Sequence, residues 1–335
     1  MKQISVGASK KINIGCTCAV SSAKAFLQSS KNSSRVLIVT DREIAGYYLS
    51  AFNEMIVNLG KNPEVVILEP STQMKSLDSL KPIFEKFIDL EIDQEDILLI
   101  MGGGSVIDVA LFAYNIFSVP VRTMIFPTTL FSMIEASLTE VAHLNFQGRK
   151  DILNVPNKDR KVVVDTNFLK TVPAKVITNG SALIVQYGLL MDSSVLTQLS
   201  VPKNITQIIE SAIITGRKIW DHNPKWLDFG HDIGDAIELH FRYYNYTPGE
   251  ALALGLFARC PSSNLKSLYS RLGLPVSVDG VTQETLMKRI EKNMRKTAQG
   301  VDIVMLSKKG QPYIKKLEKK EALSFYGKAL DQICQ

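Results

Sequence analysis

Histidine and cysteine are scarce in this chain, with four of each among 335 residues. Cys16 and Cys18 form a Cys-x-Cys pair, which is neither a zinc nor a redox spacing, and Cys260 and Cys334 stand apart. A disulfide framework is therefore excluded, and a reducing cytoplasm is the expected compartment. No run approaches the roughly 18 apolar residues of a membrane span, and no charged-then-apolar leader opens the sequence, so a soluble, unsecreted protein is expected. Low-complexity linkers and internal repeats are missing too. The formal charge of +6 comes partly from Lys288-Arg289, Arg295-Lys296, Lys308-Lys309, Lys315-Lys316 and Lys319-Lys320. Glutamates are interspersed among these, so the stretch reads as a solvated face and not as a nucleic-acid surface, while anionic small molecules stay compatible.

What is present is the composition of an ordinary globular protein, 45% hydrophobic and 21% charged, long enough for two domains. The unalternating apolar run 97–101 reads as a strand buried on both faces, and it ends in Gly102-Gly103-Gly104-Ser105, where a sharp turn leads into a helix carrying Asp108. First-turn amides and the helix dipole there favour an anion such as a pyrophosphate, although no third glycine follows at the usual dinucleotide spacing. Before it, residues 35–40 and 63–68 read as strands and residues 46–59 and 76–90 as helices. Such alternation predicts an α/β N-terminal nucleotide-binding domain with a parallel sheet over 1–174. Asp41, Gly102 to Ser105 and Pro127-Thr128-Thr129 each follow a strand, so they are expected on one sheet edge, the carboxylate suited to a ribose hydroxyl and the threonines to phosphate or amide groups. From Lys175 the segments become long and helically periodic, punctuated by Pro202, Pro224, Pro248, Pro261 and Pro275, which predicts an all-α C-terminal domain over 175–335.

Six blocks occur in order: Gly-Gly-Gly-x-x-x-Asp at 102–108, Pro-Thr-Thr-Leu at 127–130, Asp-Thr-x-x-Leu-Lys-Thr-x-Pro at 165–173, Tyr-Gly-Leu at 187–189, Phe-Gly-His at 229–231 and Gly-Glu-Ala-x-Ala-x-Gly at 249–255. Together they resemble 3-dehydroquinate synthase and its relatives among the sugar phosphate cyclases, over about residues 35–305. The resemblance implies a dehydroquinate synthase-like fold, NAD that oxidises and later re-reduces a substrate carbon, a divalent metal (usually zinc) that polarises the reacting hydroxyl, and a homodimer. It carries a nucleotide role to Asp41, Gly102, Gly103, Gly104, Asp108, Thr128 and Thr129, and to Thr171 in a second nucleotide block. Lys75 matches the lysine of a Gly-Glu-x-x-Lys element whose glycine and glutamate are here Ser71 and Thr72.

The chemical half of the pattern is eroded. The family's three metal ligands correspond to Leu183, His231 and Pro248, and neither leucine nor proline has a lone pair to offer. Its substrate block reads Glu135-Ala136-Ser137-Leu138-Thr139-Glu140-Val141, so a lysine has become Val141 beside a new carboxylate, Glu140. A second lysine is Gln186, the Gly-Lys-Asn element is Gly148-Arg149-Lys150, an asparagine is Asp228, a second histidine is Asp235, and a late Asp-Lys-Lys is Thr297-Ala298-Gln299. A substrate bearing phosphate and carboxylate needs several fixed cations, and most are missing.

His231, Asp235 and Glu238 stand at i, i+4 and i+7, one helical face, and would suit a harder metal than zinc; an ordinary polar face with Arg242 as partner is the competing reading. His143, His222 and His240 have no motif context, and Cys16-Thr17-Cys18 reads as packing. Three functions stay open: a noncanonical or inactive family member that retains the nucleotide site, a working NAD-dependent cyclase or polyol dehydrogenase rebuilt around catalytic candidates His231, Asp235, Glu238 and Glu250, and a scaffold or regulatory protein. The expected partners are a small-molecule nucleotide and, for an active enzyme, an anionic polyol phosphate, with no nucleic acid and no membrane.

Overall fold

Residues 97–102 are buried to the last side chain, as an unalternating apolar strand must be when both faces of its sheet are covered. The computed structural model describes residues 1–6, 10–30, 35–69, 74–200, 204–242, 244–294, 296–297, 300–307 and 310–334, so Ser71, Thr72, Ala298 and Gln299 lie outside the described residues. The chain divides into two units, Met1–Pro173 and Ala174–Gln335.

The first unit contains strands β1 Lys2–Val6, β2 Lys10–Gly15, β3 Arg35–Asp41, β4 Asn62–Leu68, β5 Ile97–Gly102, β6 Arg122–Pro127, β7 Val141–Phe146, β8 Arg149–Pro156 and β9 Lys161–Asp165. Seven form one sheet in the order β1-β2-β9-β6-β5-β3-β4. Every neighbouring pair is parallel except β1 with β2, so an antiparallel strand closes one edge of the expected parallel sheet. The registers Thr40↔Met101 and Gly102↔Pro127 bring the carboxyl ends of β3, β5 and β6 side by side. Beside this sheet lies the antiparallel hairpin β7–β8, whose inner residues Ala142 and Leu144 are buried in the same core as β5 and the helix Gly104–Ile116. Nothing in the periodicity had indicated that hairpin.

The helix expected over 46–59 starts earlier, at Arg42, and passes through a π turn at Ala45–Leu49 before continuing as Ser50–Val57. Gly60, at φ +72°, takes the left-handed conformation just beyond it. The helix expected over 76–90 is a 3₁₀ turn at Asp78–Leu80 running into Lys81–Asp89, and Pro82 fits its start because a first-turn residue has no intrahelical use for an N–H.

The second unit is mainly helical, with Ala174–Leu190, Ile205–His222, His231–Phe241 and Pro248–Arg259 as its long members. It departs from the all-α expectation in one respect: β10 Lys296–Thr297, β11 Gly300–Leu306 and β12 Pro312–Leu317 form an antiparallel sheet. Their lysines read as a charged helical face, because β12 spends its exposed positions on Lys315 and Lys316. Four glycines set the helix spacing in this unit. A Cβ on Gly255 would overlap the Gly230 carbonyl oxygen, one on Gly249 the Asn179 carbonyl oxygen, and one on Gly234 would come within 2.9 Å of the Ala251 oxygen. Gly230 itself, at φ +88°, is left-handed and precedes His231. Helices 231–241 and 174–190 therefore approach helix 248–259 backbone to backbone.

Candidate functional site

At the end of β5 the three glycines have different reasons to be there. A Cβ on Gly102 would stand 2.6 Å from Val106 Cβ, so this position holds the strand tight against the helix it feeds. Gly103 is extended (φ −74°, ψ 179°), and neither it nor Gly104 has a positive φ, so the expected need for glycine's conformational freedom is not met at either position. A Cβ would have ordinary contacts there, 3.4 Å from Thr129 Cγ2 at Gly103 and 3.7 Å from Glu135 Oε2 at Gly104. What the glycines provide is open space over the first helical amides, where Ser105 is exposed.

No side chain caps that helix, and its first turn holds no acidic residue. By helix geometry its leading amides have no intrahelical acceptor. The neighbouring helices differ. Asp41 Oδ1 accepts from Ile44 N at 2.9 Å, and Thr129 forms a capping box with Ser132. Asp41 and Thr129 thus have local work, and burial pushes the Asp41 carboxyl pKa up against the pull of the amides it accepts from. Thr40 and Thr128 are fully buried, and their hydroxyl oxygens lack a hydrogen-bond partner among the described residues. Both lie at the same carboxyl edge, Thr40 ending β3 beside Asp41 and Thr128 following β6, where its amide donates to Gly102 O at 3.0 Å.

Two expected nucleotide residues are engaged elsewhere. The Thr171 hydroxyl lies 2.7 Å from the Tyr48 hydroxyl and donates to Phe168 O, tying the π turn to residues 166–171. Lys75 Nζ sits 2.7 Å from Asp108 Oδ2 and 2.5 Å from Asp151 Oδ1. Burial alone would lower the ammonium pKa, but the two carboxylates outweigh it and the net shift is upward. Asp151 shows the converse, since burial raises its pKa but Lys75 leads the charges that bring it down. Sequence reading missed Asp151 and Tyr48, which belong to no motif.

In the second unit, Leu183 is buried in Ala174–Leu190. Pro248 opens its helix at a position where proline is favoured. His231 Nδ1 is 3.6 Å from Asp235 Oδ1, and both side chains are about one-third exposed, whereas Glu238 is 1% exposed. The expected face thus runs from solvent into the core, and among the described residues no three His, Cys, Asp or Glu side chains gather to hold a metal ion. Glu250 has a structural task in place of the expected catalytic one: Oε2 accepts from Thr247 N at 2.8 Å and from its hydroxyl at 2.9 Å, and Lys175 lies 3.5 Å away. Gln186, standing for a lysine, is fully buried and donates from Nε2 to Leu227 O and Phe229 O, both at 2.8 Å, bracing the turn that leads to His231. His222 bonds Lys218 O on the surface, and Cys18 is buried in packing as expected. The amides of Thr17, Cys18 and Ala19 converge on the carboxylate of Asp165, which caps the helix Ala19–Gln28.

A family model described as 3-dehydroquinate synthase N-terminal matches residues 65–179. The 3-dehydroquinate synthase of Clostridium kluyveri is 22% identical over 324 residues, covering 89% of this chain and 90% of that protein. Among solved structures, a 2-deoxy-scyllo-inosose synthase complexed with carbaglucose-6-phosphate, NAD+ and Co2+ superposes with a TM-score of 0.81 at 17% identity, over 97% of this chain and 98% of that one. The 2-epi-5-epi-valiolone synthase of Streptomyces hygroscopicus subsp. jinggangensis 5008, with NAD+ and Zn2+ bound, gives 0.81 at 15% identity over 99% of both chains. Among the described residues no helix is long and apolar enough to cross a membrane. With six motif blocks in order, a doubly matched sequence and a shared fold, the chain is a divergent member of the 3-dehydroquinate synthase family of sugar phosphate cyclases.

Proposed function

We propose that this protein binds NAD, or its adenosine half, at the glycine turn, and does not carry out the metal-dependent cyclisation of its relatives. The observation that carries the first half is the uncapped start of the helix Gly104–Ile116 beneath two glycines with room above them. A pyrophosphate would satisfy those amides and meet the positive end of the dipole. The orphaned hydroxyls of Thr40 and Thr128 and the carboxylate of Asp41 supply polar groups along the same edge. That two neighbours of the same fold hold NAD+ supports the reading.

Titration calorimetry with NAD should show saturable binding, and Gly103→Asp should weaken it about 100-fold or more, because a carboxylate would stand within a few ångströms of the pyrophosphate. No saturable heat from the unmodified protein up to millimolar NAD would remove the claim.

The metal of the relatives does not fit the residues present. Of the positions that the resemblance assigns to ligation, only His231 has a donor atom, and losing most ligands of a closed site forfeits most of its binding free energy. Elemental analysis should therefore find far less than one zinc per chain. Stoichiometric zinc that disappears in His231→Ala would show a rebuilt centre.

One observation favours a second reading. The partly exposed His231–Asp235 pair resembles a base with its orienting carboxylate, as an NAD-dependent polyol dehydrogenase would need. Oxidation of a polyol by NAD, lost in His231→Ala, would favour this reading.

A further inference from the structure

The tip of the hairpin β7–β8 is tied to the glycine-turn helix through Lys75. Besides its two carboxylate partners, Lys75 accepts from Asn145 N at its own carbonyl, 2.8 Å away. Asn145 Oδ1 accepts in turn from Asp151 N at 2.9 Å, and His143 N donates to Asp108 Oδ1 at 3.3 Å. Gln147, Gly148 and Asp151 all have positive φ, between +47° and +71°. For non-glycine residues such a backbone persists only where surrounding bonds over-determine it. Asp151 meets that condition through both its amide and its carboxylate.

Lys75, Asp108 and Asp151 are between 19% and 29% exposed, so one ammonium is shared by two carboxylates and the group carries a net negative charge. Asp108 lies four residues into the helix that starts at Gly104, about 6 Å along its axis. An anion at the helix start is thus within reach of the Lys75 side chain, and it competes with Asp151 for the same charge.

We propose that Asp151 latches the hairpin tip to the glycine-turn helix through Lys75, and that an anionic ligand at the turn opens the latch by drawing Lys75 toward itself. The opening half rests on the nucleotide reading above; the latch itself does not. Ala142 and Leu144 stay in the core in either state, so the change is confined to the tip, residues 145–151. Linkage makes the coupling reciprocal: whatever releases Lys75 from Asp151 strengthens anion binding, and bound anion loosens the tip.

The test combines hydrogen exchange of peptides covering 145–152 with calorimetry, using NAD and inorganic pyrophosphate as probes. Without ligand, Asp151→Asn, which keeps the shape, and Lys75→Met, which removes the shared cation, should each speed tip exchange about tenfold. Saturating NAD should speed it in the unmodified protein. Asp151→Asn should bind both probes about fivefold tighter, whereas Lys75→Met should bind them more weakly, an opposition of sign that general loosening would not produce. Unchanged tip exchange in both variants overturns the latch. Tip exchange slowed or unchanged by bound NAD, or equal affinities in Asp151→Asn and the unmodified protein, overturns the coupling. An unmodified chain that binds neither probe sinks the nucleotide reading and the opening half with it, while the ligand-free variants still decide the latch.

Discussion

Phosphate release from the seven-carbon phosphate substrate of the dehydroquinate pathway should remain at background, with NAD present and with zinc, cobalt or manganese added. The reaction that the resemblance implies begins with hydride transfer from a hydroxyl-bearing carbon, and the metal of the relatives stabilises the alkoxide that develops. A missing electrostatic stabiliser of this kind typically costs several kcal/mol of barrier, about 10²-fold or more in rate. Substrate binding fails separately. Where relatives offer lysines, this chain has Val141 and Gln186, and the Gln186 amide group is already spent on two backbone carbonyls. Single reversions should not rescue activity either: Leu183 is 4% exposed, so Leu183→Glu would bury a carboxylate among apolar neighbours before any metal arrived. Metal-dependent phosphate release that vanishes in His231→Ala would defeat this argument. Oxidation of a different polyol would defeat only the inactive reading and leave the substrate argument standing.

Gly255→Ala should be among the most destabilising conservative changes available to the C-terminal unit. The added Cβ would overlap the Gly230 carbonyl oxygen and press within 3.0 Å of the Gly234 amide, with no flexible side chain to give way. Two helices must separate, and overpacking against backbone belongs at or above the upper end of the usual range, about 3 kcal/mol. For a unit of this size that corresponds to a fall of roughly 6–12 °C in Tm. Gly327→Ala provides the opposite control. Gly327 lies in the helix Lys319–Leu330, a Cβ there meets nothing within 4 Å, and alanine should stabilise by about 0.5–1 kcal/mol. A Gly255→Ala melting curve within about 2 °C of the unmodified protein would show that the helix contact is softer than its geometry implies.

These glycines also explain why the family was legible when its chemistry was not. Gly230, Gly249 and Gly255 belong to motif blocks, yet each is required by packing within this unit, and packing persists whether or not a ligand atom is present. The continuous apolar run of β5 was legible for a similar reason, since burial on both faces leaves no polar position. Single polar residues after strands were ambiguous. A carboxylate or hydroxyl at a strand's carboxyl end stands both at the ligand edge and at the N-cap of the following helix, so Asp41 and Thr129 satisfy either role by spacing alone. Glu250 was more readable than it was taken to be, because Thr247-x-x-Glu250 is a capping-box pattern. Asp151 left no trace: its role depends on meeting Lys75 across 76 positions of chain, and no local pattern encodes that.

The position of β9 inside the sheet fixes the order in which the N-terminal unit becomes complete during synthesis. β1 and β2 join the sheet only by way of β9, and the amide of Cys18 finds its acceptor 147 residues later, at Asp165. At about 5–20 residues per second, a growing chain carries its first two strands for roughly 7–30 s before their neighbour leaves the ribosome. Through that interval the apolar side chains of Ile4, Ile12 and Ile14, all buried in the finished sheet, have no permanent cover. The beginning of this protein therefore folds last, and a nascent chain stopped short of residue 165 exposes a surface suited to capture by a chaperone.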